Sequence, residues 1–321
     1  MSAERIAAGI DLGGTKIHSV VAAQDGRVLG EDRRLTEARD GVDAVIGRMA
    51  ASVREALAQA GLGVERLAGA GISSPGPVDT ERGVVTDAPN LSGWHEVPVV
   101  RLVSEALGVP ALLENDAAAA AYGECRFGAG RGRKHVLYVT VSTGIGGGVI
   151  GDGRLYRGAS GAAGEVGHLV LDDAGPACNC GSRGCLEAIA SGTAIARDAA
   201  EAIAAGRSSL MAGLAKSSPL DAELVGEAAE RGDEAAQAII DRAGYYLGLG
   251  LTGLLNCFNP EVLIIGGGLT GLGDRYLGRA IRTARERAFP QMVADVTIAT
   301  AELGERSGAL GVAALVMEQG R

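Results

Sequence analysis

The chain has 321 residues, enough for two ordinary domains or one large one. Hydrophobic residues make up 47% of it but aromatics only 3%, so its core must be built of Ala, Val, Leu and Ile. A net charge of −9, a pI near 5.1 and lysine only at Lys16, Lys134 and Lys216 leave no clustered basic footprint for nucleic acid.

The first residues carry Glu4 and Arg5 ahead of a short apolar run, which does not read as a secretory leader. The longest apolar stretch, Tyr245 to Phe258, falls short of the ~20 residues a membrane span requires and reads as a buried helix. The expectation is a cytoplasmic chain with reduced thiols, no membrane partner and no nucleic-acid partner.

In chain order, Ile6 to Ile10 is a short strand that meets Asp11-Leu12-Gly13-Gly14-Thr15-Lys16, and apolar residues resume over Ile17 to Ala23. Gln24-Asp25-Gly26-Arg27 is a turn, and Val28-Leu29 opens a third strand. Val42, Val45, Ile46, Met49, Val53 and Leu57 recur near helical spacing, which predicts a helix over about 41–60. Leu67 to Ile72 predicts a further strand, ended by Ser74-Pro75-Gly76-Pro77.

The later sequence repeats this order. His135 to Val141 is a strand, Ser142 to Gly148 a glycine turn and Val149-Ile150 a resumed strand. Gly151-Asp152-Gly153-Arg154 is an Asp-Gly turn, and Leu155-Tyr156 follows. Matched order and matched Asp-Gly turns favour a duplicated architecture over two unrelated meanders. After Ser191 the chain is Ala-rich and helical. Val262 to Ile265 is then a strand running into Gly266-Gly267-Gly268, followed by a basic helix over about 274–288, a strand over 295–301 and a closing helix over 308–317.

Glycine numbers 51, about twice the usual ~7%, and no G-X-Y period accompanies it. The excess lies in short clusters. Asp11, Gly13, Gly14, Thr15 and Lys16 form one candidate anion nest, in which backbone N–H groups meet phosphate oxygens and Asp11 can hold a water on Mg²⁺. Thr143, Gly144, Gly146 and Gly147 form a second, with Gly267 in a third glycine cluster. A plain hairpin explains one such turn; two in repeated context are more specific. Neither fits the P-loop or the dinucleotide fingerprint.

His168, Cys178, Cys180 and Cys185 read His-x9-Cys-x-Cys-x4-Cys, a donor set suited to one closed, structural Zn²⁺ site. A disulfide and free thiols are the alternatives. Cys125 and Cys257 lie outside the cluster and read as buried small hydrophobes. Glu114-Asn115-Asp116 separates an apolar run from an Ala-rich helix. Asp116 there is either the cap of that helix or a carboxylate that accepts a hydroxyl proton. Asn90 and Asn115 flank it in sequence, and such side chains satisfy a polyol.

With these pieces in place the chain resembles the ROK family (repressors, open reading frames and kinases), and its bacterial glucokinases in particular. The matching segments are 11–16, 75–79, 89–94, 114–116, 143–148, 165–168 and the Cys178-x-Cys180-Gly181-x-x-Gly184-Cys185-Leu186-Glu187 signature, in family order over most of the chain. The resemblance implies an actin-like, ribonuclease-H-like ATPase fold, α/β, with a cleft between two domains. The first would span 1–116, joined by a C-terminal helix at about 306–321; the second, 117–305, would carry the zinc loop.

It further implies ATP-dependent phosphorylation of a hexose at its C6 hydroxyl, glucose first. N-acetylmannosamine, N-acetylglucosamine, mannose and fructose are alternatives, and polyphosphate or ADP are alternative donors. Asp116 would be the base. Gly76, Asn90, Asn115, Asp116, Glu165, His168 and Glu187 would hold the sugar, with His168 also on zinc. A homodimer or homotetramer is implied as well. One departure is Ala118, where the family commonly has a second Asn. Sugar-responsive repressors of the family carry an N-terminal DNA-binding region, for which the ten residues before Asp11 leave no room; a gel shift separates the two classes.

Overall fold

The computed structural model describes residues 4–88, 91 and 93–318. The chain packs as two compact units. Residues 1–136, 148–164 and 302–321 form the first, and 137–147 and 165–301 the second.

The first unit opens with β1 (Ile6–Leu12), β2 (Lys16–Ala23) and β3 (Val28–Leu35), then α1 (Val42–Gln59) and β4 (Leu67–Ser74). Three short strands follow, β5 (Val78–Asp79), β6 (Val84–Asp87) and β7 (His95–Val97), which pair as a small sheet of their own. Next come α2 (Val99–Leu107), β8 (Ala111–Asn115) and α3 (Asp116–Phe127). The main sheet has the order β3-β2-β1-β4-β8. β1 is antiparallel to β2 and parallel to β4, and β8 extends β4 in parallel.

Alternation along β1 gives this sheet two buried faces. Ile6, Ala8, Ile10 and Leu12 join Val45, Met49 and Val53 of α1 in one core. On the other face, Ala7 joins Val20 and Ala22 beneath Ala309, Leu310 and Ala313 of the closing helix.

The second sheet has the order β11-β10-β9-β12-β13, built from β9 (Val136–Val141), β10 (Ile145–Gly151), β11 (Arg154–Leu155), β12 (Val262–Gly266) and β13 (Thr297–Thr300). Position for position this repeats the first sheet, as the two Asp-Gly turns suggest. After an irregular loop over 169–185 the second unit is helical: α4 (Leu186–Ala190), α5 (Gly192–Ala204), α6 (Ser209–Leu214), α7 (Ala222–Glu230) and α8 (Glu234–Phe258).

Four of these helices start where a short polar side chain accepts an orphan N–H: Ser191, Ser208, Asp221 and Asp233 cap α5 to α8. α8 stops at Asn259, whose φ of 42° is left-handed, ahead of Pro260. The basic segment forms a single π-helical turn (Asp274–Gly278) and then α9 (Arg279–Arg287), followed by α10 (Pro290–Ala294). The chain then returns to the first unit with α11 (Ser307–Glu318). Among the described residues no helix is long and apolar enough to cross a membrane. The boundary expected at 116/117 falls at the start of α3, which lies in the first unit.

Candidate active site

At the end of β1, Asp11 lies within the strand rather than at the hairpin tip, paired across to His18 and Ser73. Its carboxylate accepts the Ser73 hydroxyl, and burial pushes its pKa above the ordinary carboxylate value. The turn itself is Gly13-Gly14-Thr15. Gly13 donates its N–H to the Lys16 carbonyl (2.9 Å), so this amide closes the turn. Buried Thr36 braces the same turn, donating its hydroxyl to the Gly13 carbonyl (2.6 Å) and its N–H to the Thr15 carbonyl (2.9 Å). Nothing in the sequence pattern marks Thr36. The Lys16 ammonium contacts the Glu305 carboxylate at 2.5 Å, and that pairing holds the Glu305 carboxyl below its usual range.

The strand-to-helix junction answers the capping question. Asn115 is the cap: its Oδ1 accepts the N–H groups of Ala117 (3.0 Å) and Ala118 (3.2 Å). Asp116 is the first helical residue, its Oδ1 accepting the Ala117 N–H at 2.8 Å. The Asn115 amide also reaches the Gly76 carbonyl (3.5 Å). Gly76 has a φ of 83°, and a Cβ there would stand 2.6 Å from the Asp87 carbonyl oxygen, so only glycine fits that bend. Three residues expected on the sugar thus gather at one strand end. Asn90 lies outside the described residues. Ala118 packs closely on Gly148, whose missing Cβ would otherwise lie 3.1 Å from the Ala118 Cα.

In the second unit the glycine turn is shorter than its sequence suggests. It covers 142–144 only, and Gly146, Gly147 and Gly148 lie inside β10. The reason is packing: a Cβ on Gly147 would stand 2.7 Å from the Val166 side chain, and one on Gly148 would meet Ala121 at 2.4 Å. The remaining turn is held from two directions. The start of α5 supplies the N–H of Gly192 to the Ser142 carbonyl and the N–H and hydroxyl of Thr193 to the Thr143 carbonyl. Glu187 Oε2 accepts the Ile145 N–H at 2.9 Å. A carboxylate expected on the sugar therefore also touches the turn expected to hold phosphate. Gly267, with φ 90°, lies against the end of β9, where a Cβ would come within 2.2 Å of the Val141 carbonyl oxygen.

The metal ligands converge. One donor atom each from His168, Cys178, Cys180 and Cys185 lies within 4.8 Å of the others. Cys180 and Cys185 Sγ are 3.7 Å apart, and Cys178 Sγ is 3.6 Å from His168 Nδ1. A tetrahedron with Zn–S near ~2.3 Å has an edge of about 3.8 Å, so this donor set fits one zinc ion with no open position. Gly184 makes the loop possible: a Cβ there would stand 1.5 Å from the Asp172 carbonyl oxygen. The other imidazole nitrogen, Nε2, is 3.8 Å from Glu165. Burial pushes the Cys185 thiol up to about 12, so binding an ion there must displace its proton. Cys125 is buried as expected, whereas Cys257, on the last turn of α8, is exposed.

The fold is that of a sugar-kinase family. Residues 7–319 match the ROK family. The chain is 39% identical over 312 residues to a glucokinase of Thermotoga maritima, covering 97% of each. Its structure is similar to that of a ROK hexokinase from Thermus thermophilus (TM-score 0.84, 38% identity, 96% of this chain and 97% of that one). It is also similar to a ROK family glucokinase from Streptomyces griseus in complex with glucose and AMPPNP (TM-score 0.80, 34% identity, 97% and 98%). The chain belongs to the ROK family.

Proposed function

We propose that this chain transfers the γ-phosphoryl group of MgATP to the C6 hydroxyl of glucose. The observation that carries this reading is the head of α3. Asn115 takes the capping role, so the carboxylate of Asp116 is not required to start the helix. A phosphoryl acceptor needs such a carboxylate within hydrogen-bond reach of its hydroxyl, to take the proton as the oxygen attacks. Gly76, Asn90, Asn115, Glu165, His168 and Glu187 hold the remaining hydroxyls. Asp11, Gly13, Gly14, Thr15, Lys16, Thr143, Gly144, Gly146, Gly147 and Gly267 serve the nucleotide.

Mg²⁺ supplies charge neutralisation on the phosphates, and Asp11 is the acid beside the first turn to which a water on that ion would bond. Burial raises the Asp11 pKa, and a cation bound nearby would favour its charged form. Zinc shapes the loop bearing Glu165 and Glu187 and takes no part in the transfer, because four protein ligands leave it no open position. The naming of the Thermotoga relative and the glucose and AMPPNP in the Streptomyces structure support glucose and ATP as the substrates. The reading also places the enzyme in the cytoplasm and assembles it as a homodimer or homotetramer, which light scattering measures.

The test is a panel of glucose, mannose, fructose, N-acetylglucosamine and N-acetylmannosamine with ATP, ADP or polyphosphate, read as sugar phosphate formed. Highest kcat/KM for glucose with ATP is expected. A higher value for another sugar or donor overturns the assignment to that pair. No turnover with any pair, together with a gel shift on DNA, moves the chain to the regulators of the family.

A further inference from the structure

We infer that Arg157 is a positioning residue for the phosphoryl transfer, acting through Glu114 on Asn115 and Asp116. The inference rests on the role proposed for Asp116.

Glu114 is the last strand residue before the Asn115-Asp116 pair, and it is only 1% exposed. A buried carboxylate is costly unless paired and hydrogen-bonded. Arg157 supplies the pair: its Nε and Nη2 both lie 2.8 Å from Glu114 Oε2. The other oxygen, Oε1, accepts the backbone N–H of Asn115 at 3.1 Å. The carboxylate is thus held between a guanidinium and the peptide that leads into Asp116.

Sheet topology explains the need. β8 is the edge strand of its sheet, hydrogen-bonded only to β4, and Asn115 is the last residue in that register, opposite Ser74. Among the described residues no further strand pairs with it on the other side, so no second ladder fixes the direction in which it exits. Arg157, 43 residues further along and just beyond β11, reaches in from a half-exposed position to the side chain that grips this exit.

Stability alone does not explain the pair. Burying the Glu114 carboxylate costs about as much desolvation as its attraction to a half-exposed guanidinium returns, and apolar replacements of such pairs are often neutral or better. A planar, two-pronged guanidinium instead fixes a direction, which an apolar contact does not. Burial raises the Glu114 carboxyl and Arg157 opposes that rise, so loss of Arg157 removes the opposing charge as well as the clamp.

The experiment compares wild type, Asp116→Ala and the double variant Glu114→Gln with Arg157→Met. The double variant removes the pair without stranding a buried charge, and the glutamine oxygen still accepts the Asn115 N–H. The readouts are kcat, KM for glucose and for ATP, the pH profile of kcat, and Tm. A positioning role predicts a kcat at least ~10-fold lower, the scale of a sub-ångström misplacement. It also predicts a displaced acid limb of the kcat profile, an unchanged KM for ATP and a Tm close to wild type.

A kcat within about twofold of wild type, or one that falls only with the folded fraction, overturns the inference. Should the double variant not fold, Arg157→Lys, which keeps the charge but loses the fork, is read by the same criteria. Retained activity in Asp116→Ala defeats the underlying assignment of the base. An inactive Asp116→Ala beside a fully active double variant defeats the Arg157 inference alone.

Discussion

Asp116 and Asn115 stand side by side at one helix start, where a sequence pattern cannot tell the cap from the proposed base. Either side chain can cap a helix. The geometry gives the cap to Asn115, and this makes the residues separable by experiment. Asp116→Ala should lower kcat by at least ~10², the usual scale for loss of a general base, while Tm stays near wild type because the cap survives. Steady-state kinetics and a thermal melt on the same preparation check this; near-normal kcat removes the assignment.

A second residue-scale expectation concerns Glu31. Arg306 binds it through two nitrogens, each at 2.8 Å, and holds its carboxyl near 2, well below the ordinary 4.5. A lowered carboxyl pKa stabilises the fold above the unfolded value and loses that contribution as pH falls toward the folded one. Glu31→Gln should therefore be less stable than wild type near neutral pH, with the gap closing between about pH 4.5 and pH 2. Urea midpoints across that range measure it, and a gap that persists at the acid end refutes the pairing. Thr36 and Arg157 were not legible beforehand. Each works through hydrogen-bond partners distant in sequence, and such partners leave no periodic signal.

Among the elements, the zinc loop was the most legible and the second glycine turn the least. Thiolate and imidazole donors at short spacings announce a metal whatever surrounds them. Glycines announce only the absence of a Cβ, and Gly147 and Gly148 use that absence to let Val166 and Ala121 approach a strand. Cys180→Ser, or treatment with a chelator, should raise the KM for glucose and lower Tm while leaving the KM for ATP almost unchanged. Metal analysis should find about one zinc per chain. An active enzyme free of zinc refutes the site.

The closing helix α11 relies on glycine in the same way. A Cβ on Gly9 would stand 1.8 Å from the Ala309 carbonyl oxygen, and one on Gly311 would stand 1.8 Å from that of Ala119. These contacts are with backbone, which cannot rotate aside. Gly311→Ala should therefore cost about 1–3 kcal/mol or more through overpacking. That is a fall in Tm on the order of 2–5 °C for a chain of this size. An unchanged melt means α11 sits less tightly on α3 than its backbone distances require.

On the scale of the whole molecule, the repeat read from two Asp-Gly turns extends to two sheets with the same five-strand order. The hairpins were legible because each turn and its flanking strands are local. The small sheet of β5 to β7 was not, since its strands are two to four residues long and too short to show alternation. Nor does any local signal tell that 302–321 belongs with the first unit. Removing residues 307–321 should leave Ala7, Val20 and Ala22 without their cover. The truncated chain should be insoluble or molten, with near-ultraviolet dichroism lost, although it retains every residue proposed for substrate binding. A soluble, sharply melting truncation would show that the first unit does not need α11.

That dependence has a consequence for how the protein is made. A ribosome releases the chain from its N-terminus at about 5–20 residues per second. β1 emerges well before α11, the helix that covers one of its faces and that lies roughly 300 residues further along. For an interval on the order of tens of seconds the nascent sheet carries an open apolar face. The second unit, whose segments all precede Glu302, has no such wait. Its folding can finish while the first unit is still incomplete, so maturation of the enzyme runs against the direction of translation, and the unfinished N-terminal sheet is the surface a chaperone would guard.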